Sequence, residues 1–256
     1  MSMVALTRSE TGFSDRVLNL LEKADYRPAI TDQEKDQIYR LRYDAYLREG
    51  AIGPNFAKRL SDRYDDLDNA WMLGVFVDGH LASSIRLNVS SAAYPELPAL
   101  KVFSDFLGPD IDAGRTIIDP TRFVVDSTFA RAYPELPYVT TRIGWMAGEY
   151  FGADKILATV RTEHQAFYKR VFGHEVVCDA RPYPTLIKPL SLMTLDYFAM
   201  KERVHRRFPF FRSTYFERRM LFGLPGMPAE WEAEATGRKT ASPPGVAAGL
   251  VPALAG

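Results

Sequence analysis

One cysteine, Cys178, stands in 256 residues, so an intramolecular disulfide is impossible and C-x-x-C zinc sites are absent. A reducing, cytoplasmic setting is therefore expected. Cys178 itself reads as a small buried apolar residue of a late strand rather than a nucleophile. The four histidines, His80, His164, His174 and His205, show no metal-ligand spacing, and no Ser/His/Asp arrangement is present. No metal is expected. Neither sign of charge is in excess: 32 Lys and Arg balance 32 Asp and Glu, which leaves no global field to select nucleic acid. No apolar run is long enough to cross a bilayer. At the N-terminus, Met3-Val4-Ala5-Leu6 gives way to Thr7-Arg8-Ser9-Glu10, too short for a signal-peptide core. What the chain does have is 46% hydrophobic residues, enough for one large core or at most two small ones.

Local patterns divide it into alternating strands and helices. An amphipathic helix carrying Val17, Leu18, Leu20 and Leu21 is expected up to about Asp25, then a strand from Tyr26 to Ile30. Thr31-Asp32-Gln33-Glu34 has the form of a capping box, hydroxyl and carboxylate three residues apart, opening a helix with Ile38, Leu41 and Ala45 on one face. Gly50 to Asp68 has no period and reads as a loop. Trp71–Val77 and Leu81–Val89 form a hairpin about Asp78-Gly79. Tyr94 to Gly114 is an insertion with a short helix at Val102–Leu107, and Arg115–Val125 a long central strand. A helix begins near Pro137 and ends by Gly152, with Gly144, Gly148 and Gly152 baring one face for close packing. Strand Lys155–Val160, helix Glu163–Phe172 and strands at Glu175–Ala180 and Leu190–Tyr197 complete an α/β pattern. Basic, aromatic helices follow at about 198–222. Residues 1–226 read as one domain and 227–256, rich in Ala, Gly and Pro, as a disordered tail.

Four segments carry charge in an order that matters. They are Arg42-Tyr43-Asp44-Ala45-Tyr46 on a helix, Asp62-Arg63-Tyr64-Asp65 in the loop, Arg86 mid-strand, and Asp119-Pro120-Thr121-Arg122-Phe123-Val124-Val125 in the central strand. An arginine on a strand covered on both faces has to be paired, and Asp62, Asp65, Asp66 and Asp68 offer partners to Arg122 and Arg86. A reading as separate surface charges fits Asp66 and Asp68 better than Arg86, which lies mid-strand between Ile85 and Leu87. Asp119-Pro120 reads either as the start of a turn or bulge, or as a carboxylate placed for proton transfer.

The order of these segments resembles the acyl-homoserine-lactone (autoinducer) synthases and, more closely, the long-chain N-acyl amino acid synthases of the GNAT acyltransferase superfamily. The resemblance spans roughly residues 26–197. His164-Gln165-Ala166-Phe167-Tyr168-Lys169-Arg170-Val171-Phe172-Gly173 adds to it, resembling the superfamily's late helix; read alone, it is an amphipathic helix capped by Gly173. The resemblance implies a GNAT-type mixed, twisted sheet flanked by helices, with a helical C-terminal extension. It assigns Arg42, Asp65, Arg86 and Arg122 to a buried ionic network around an amine pocket, with Asp62, Tyr46 and Phe123 nearby. Asp119 stands where the lactone synthases show glutamate and would take the amine's proton, through water because it is one methylene shorter. Thr121 matches the family's hydroxyl, and Tyr168 would lie near the acyl thioester.

Two departures refine the expectation. Lactone synthases carry a tryptophan six residues after the aromatic that Tyr46 matches, over the S-adenosylmethionine pocket; here it is Ile52, which favours an amino acid held by an arginine at its carboxylate. GNAT enzymes using coenzyme A usually have a glycine-rich turn whose amides cradle a pyrophosphate, and no glycine lies between Asp126 and Pro137. The expected donor is therefore acyl-phosphopantetheine on an acyl carrier protein rather than acyl-CoA, with no tightly bound cofactor. Arg131, Arg142, Lys155, Arg161, Lys169 and Arg170 are the candidate docking residues; alone, each reads as part of a solvated face. The segment 201–222 offers a second carrier-protein or peripheral membrane contact, or a helical pair packed on the core. The reading is an N-acyltransferase making N-acyl amino acids. The alternatives are a lactone synthase using S-adenosylmethionine and a non-catalytic module that binds acyl chains or a carrier protein.

Overall fold

The computed structural model of the chain describes residues 12–223; the tail expected at 227–256 lies outside them. Helix α1 (Phe13–Leu21) precedes strand β1 (Ala24–Pro28), helix α2 (Asp32–Arg48) and a 3-10 turn at Arg63–Asp65. Then come β2 (Ala70–Val77), β3 (His80–Val89), α3 (Leu100–Asp112), β4 (Ile117–Val125), α4 (Ser127–Ala132) and α5 (Leu136–Tyr150). The order closes with β5 (Lys155–Val160), α6 (Gln165–Val171), β6 (Glu175–Arg181), β7 (Leu190–Asp196), α7 (Tyr197–Arg207) and α8 (Tyr215–Phe222).

The local signals act as their chemistry requires. Thr31 Oγ1 accepts from Glu34 N–H while the Glu34 carboxylate accepts from Thr31 N–H, closing the capping box of α2. Asp78 and Gly79 both take positive φ, 49° and 80°, as the tight β2–β3 turn demands. Helix α1 ends at Leu21, short of Asp25, so β1 begins earlier than expected. Helix α4 was not legible: it has six residues, none buried, and no hydrophobic period. The short helix expected at Val102–Leu107 extends over Leu100–Asp112, broken in conformation at Phe103.

Seven strands form one mixed sheet in the order β1-β2-β3-β4-β5-β7-β6. Only β4 and β5 run parallel. The main core lies between one sheet face and α5, backed by α1, α7 and α8, and a smaller one around Phe103, Leu107, Leu157 and Leu192 lies on the opposite face under α3. Of the three glycines spaced along and just past α5, Gly148 makes the close packing. A Cβ at Gly148 would sit 2.7 Å from the Tyr197 ring, whereas one at Gly144 would meet Pro120 at 3.5 Å. Gly152 instead takes φ +61° just beyond the helix, the left-handed stop that glycine permits.

The basic C-terminal segment packs on the core: Phe210, Phe211, Leu221 and Phe222 are buried. Arg142, expected at a docking surface, is buried beneath it. Its guanidinium donates to the carbonyls of Phe210 and Arg212, each at 2.7 Å, and to Glu217 Oε1 at 2.9 Å. Arg142 therefore ties α5 to the extension and is not presented to a partner.

Candidate active site

The parallel ladder between β4 and β5 stops almost where it starts. Only Ile117–Lys155 and Ile118–Ile156 are in register, and beyond them the strands part. Pro120 follows two residues later, without an N–H to continue the ladder. Arg122 then takes φ +54°, a left-handed conformation rare for a residue with a side chain. On the other edge of β4, the register with β3 shifts between Ser84 and Arg86. These irregularities hold the sheet open, and a cavity of about 80 Å³ enters the opening, with Thr121 and Arg122 on one strand, Thr159 on the other and Leu190 of β7 beyond.

Alternation along β3 and β4 places Arg86 and Thr121 side by side on this face. Arg86 Nε donates to Thr121 Oγ1 at 3.0 Å, and its Nη1 reaches Asp62 Oδ1 at 2.5 Å and Asp65 Oδ1 at 3.0 Å. Asp65 also accepts from Arg42 Nη1 at 2.7 Å, with both side chains fully enclosed. Arg122 donates to Asp62 Oδ2 through Nε at 3.1 Å and Nη2 at 2.7 Å, and its guanidinium lies over the Tyr46 ring. Asp62 thereby links two arginines. Burial acts to raise its carboxyl, but Arg86 and Arg122 outweigh that and hold it at about 2. Asp65 caps the short turn from within, accepting from Asp62 N–H at 2.9 Å. The D-x-Y-D loop is thus fixed by the same ion pairs that form the cavity wall.

The network joins three guanidiniums to two carboxylates, leaving one positive charge in excess at the cavity. Two buried donors of Arg42, Nε and Nη2, have no hydrogen-bond partner among the described residues. Such a network contributes little to stability because desolvating its ions costs several kcal/mol each. Its value lies in fixing geometry and sign of charge. Asp66, by contrast, is exposed and pairs with Lys35, and Asp68 is exposed too, as solvated charges should be.

Asp119 is brought to the same face but one layer beneath the cavity, off its wall. Asp119 Oδ2 accepts from Ala99 N–H at 2.9 Å, and its buried Oδ1 has no hydrogen-bond partner among the described residues. Burial pushes its carboxyl up to about 6, with the Ala99 N–H and Arg86 opposing. Tyr168 is half-buried among Phe167, Phe172 and His174. Burial, then the nearby Tyr46 phenol, raises its own phenol well above the ordinary range, so it keeps its proton at neutral pH. Phe123 packs into the main core rather than against the cavity. The positive φ at Arg122 breaks the two-residue alternation that would have sent it with Thr121.

The proposed docking residues separate. Arg131, Lys169 and Arg170 are exposed. Arg161, at the open end of β5, pairs with Glu49 and Glu163. Lys155 begins β5 at the closed end of the sheet and pairs with Asp110. Sequence reasoning missed Lys101, Tyr64 and Tyr183, which complete the cavity wall. Tyr183 Oη donates to Pro98 O at 3.1 Å, and burial, with Asp119 next, raises its phenol. Tyr64 belongs to the D-x-Y-D segment but was given no role there; Lys101 and Tyr183 sit in no distinctive pattern, and only the fold brings the β6–β7 loop over Arg86. The turn after β4 is closed by a carboxylate: Asp126 Oδ1 accepts from Thr128 N–H at 2.8 Å and Phe129 N–H at 3.3 Å. Among the described residues no group of His, Cys, Asp or Glu is placed to hold a metal ion, and no helix is long and apolar enough to cross a membrane.

This architecture has known counterparts. The model of the N-acyl amino acid synthase FeeM family matches residues 37–196, from α2 through β7. The structure of FeeM, an N-acyl amino acid synthase from uncultured soil microbes, is similar with a TM-score of 0.59 at 18% identity, over 72% of this chain and 97% of that one. A CoA-dependent acyl-homoserine lactone synthase, BjaI, gives 0.52 at 15% identity, over 84% and 98%. The lactone synthase LasI gives 0.51 at 11% identity, over 67% and 89%. At such identities these structures establish a common fold, the GNAT-like mixed sheet flanked by helices. No curated protein matches the sequence.

Proposed function

The chain belongs to the N-acyl amino acid synthase FeeM family and is an N-acyltransferase, and from that premise we propose that it transfers a fatty acyl group from the phosphopantetheine thioester of an acyl carrier protein to the α-amine of an amino acid. The observation that carries this reading is the cavity at the β4–β5 opening, walled by a buried network with one positive charge in excess. An extended thioester arm enters between strands whose backbone groups are not spent on each other. The acceptor's carboxylate meets the excess charge of Arg86 and Arg122, with Lys101 at the rim.

The neutral amine attacks the thioester carbonyl. A C–N bond forms, the C–S bond breaks, and the amine's surplus proton passes over a bridging water to Asp119, whose carboxyl near 6 is ionised at neutral pH yet basic enough to accept it. Tyr168, which holds its proton, donates a hydrogen bond to the departing sulfur, and the thiolate takes its proton from water as Asp119 gives up the one it accepted. No enzyme nucleophile is required. The Asp126 carboxylate on the amides that follow β4 disfavours a pyrophosphate there, which supports a carrier-protein donor over free coenzyme A. Exposed Arg131, Lys169 and Arg170 suit the acidic surface of such a carrier.

The test is to incubate the purified chain with acyl carrier protein bearing a long acyl chain and a panel of amino acids, and to identify products by mass spectrometry. An N-acyl amino acid is expected. Consumption of S-adenosylmethionine with lactone formation would replace this reading with a lactone synthase, and no acyl transfer to any amine would sink it.

A further inference from the structure

On the opposite side of the sheet lies a second, half-open cavity of about 260 Å³, bordered by α5, α7, α8 and the segment that joins the last two. The two sides follow from strand alternation: Pro120 and Leu87 face α5 across Gly144, while Thr121 and Arg86, one residue along each strand, face the first cavity. The transfer reaction makes no use of this second space.

Its walls combine an aromatic floor with an unbalanced charge. Trp145 and Tyr197 lie 4.8 Å apart between ring centroids, and Phe211 packs on Trp145. Three cations, Lys201, Arg212 and Arg218, face a single carboxylate, Glu149. Glu149 is already satisfied: it accepts from Lys201 Nζ at 2.8 Å and Tyr197 Oη at 2.9 Å. Arg212 and Arg218 have no ion-pair partner among the described residues. Among the described residues Arg218 Nη1 donates to the carbonyl and hydroxyl of Ser213, at 2.8 and 3.0 Å, and its buried Nε finds no hydrogen-bond partner. His205 adds another donor, since its Nε2 accepts from Trp145 Nε1 at 3.0 Å and the ring proton then sits on Nδ1.

We propose that this cavity is an anion-binding site for a phosphate ester, held by Arg218, Arg212 and His205. A phosphate matches the planar donor fork of arginine and would neutralise the two charges in excess. The aromatic floor takes the ester's organic part. Phe198, Phe216 and Met220 are exposed on the two flanking helices, 58%, 70% and 61% accessible, so the phosphate can come from a lipid headgroup as well as from a free ester.

The experiment titrates the full chain with inorganic phosphate and with glycerol phosphate while following intrinsic tryptophan fluorescence, to which Trp145 in the cavity contributes beside Trp71 and Trp231. A parallel arm sediments the protein with vesicles of phosphatidylglycerol or of phosphatidylcholine. A saturable response is expected, weakened roughly tenfold or more by Arg218→Gln and by Arg212→Gln, with acyl transfer unchanged in both. Arg212 is exposed, so its variant tests the site even if losing the Arg218–Ser213 bonds disturbs the loop. Preferential binding to phosphatidylglycerol, competed by glycerol phosphate, identifies a headgroup; binding of the soluble ester without vesicle preference identifies a free ligand. No saturable response in either arm, or a response indifferent to both variants, overturns the proposal.

Discussion

At the scale of single residues, Asp119 and Arg122 would serve the proposed transfer in different ways. Asp119 is fully enclosed and its carboxyl is raised to about 6. As the proton acceptor it should give kcat/KM an acidic limb near that value, and Asp119→Asn should lower turnover about a hundredfold or more. A pH–rate profile of the folded variant checks both, and unchanged turnover would remove Asp119 from the mechanism. The same residue affects stability with a definite sign. Its folded-state value lies above the ordinary 3.8, so its ionisation costs the native state stability as pH rises from about 4 to about 6. Asp119→Asn removes that titration, and the variant's stability relative to the parent should rise across the same window in urea melts; a flat difference contradicts the burial argument. Arg122 acts through shape. Both Nε and Nη2 reach one oxygen of Asp62, which lysine cannot reproduce, so Arg122→Lys should damage activity nearly as much as Arg122→Ala. A fully active lysine variant would reduce the requirement to diffuse charge.

Among elements, α5 is the one whose composition most directly states its packing. Gly148 admits the Tyr197 ring and Ile156, which a Cβ would meet at 2.7 and 2.9 Å, whereas Gly144 has Pro120 at an ordinary 3.5 Å. Gly148→Ala should therefore destabilise by about 1–3 kcal/mol through overpacking. Gly144→Ala should be neutral or mildly stabilising, because alanine favours the helix by about 1 kcal/mol. Denaturant midpoints compare the two, and equal effects would mean that α5 shifts freely on its sheet. The four-residue spacing was legible; which glycine bears the contact was not. It depends on where α7 brings Tyr197. The D-x-Y-D loop is a similar case. Its lack of period marked it as loop, but only the packed arginines give it one conformation.

For the whole molecule, zero net charge conceals local imbalance. Exposed Arg131 and Lys169 are the residues through which a carrier protein would be met, and exposed pairs act mainly on encounter. Turnover with acyl carrier protein should fall steeply with added salt, and charge reversal at Arg131 or Lys169 should raise the apparent KM for the carrier more than it lowers kcat. Equal use of long-chain acyl-CoA and carrier protein, with little salt effect, would return these residues to an ordinary solvated face. Lys155 serves as an internal comparison, since it pairs with Asp110 at the closed end of the sheet, and its reversal should leave the carrier's KM unchanged.

The sequence alone determined what short-range chemistry controls. The capping box at Thr31, the Asp78-Gly79 turn, the alternation of strands and helices, and the need for Arg86 and Arg122 to find carboxylates all act over a few residues or follow from the cost of burying a charge. Tertiary structure decided what depends on two distant segments meeting. It set Asp119 beneath the cavity rather than on its wall, turned Phe123 into the core through the conformation of Arg122, and buried Arg142 under the C-terminal helices. It also brought Lys101 and Tyr183 to a cavity no local pattern announces. An arginine's pattern of neighbours is the same whether it faces a partner protein or a carbonyl seventy residues away; only the folded chain determines which it meets.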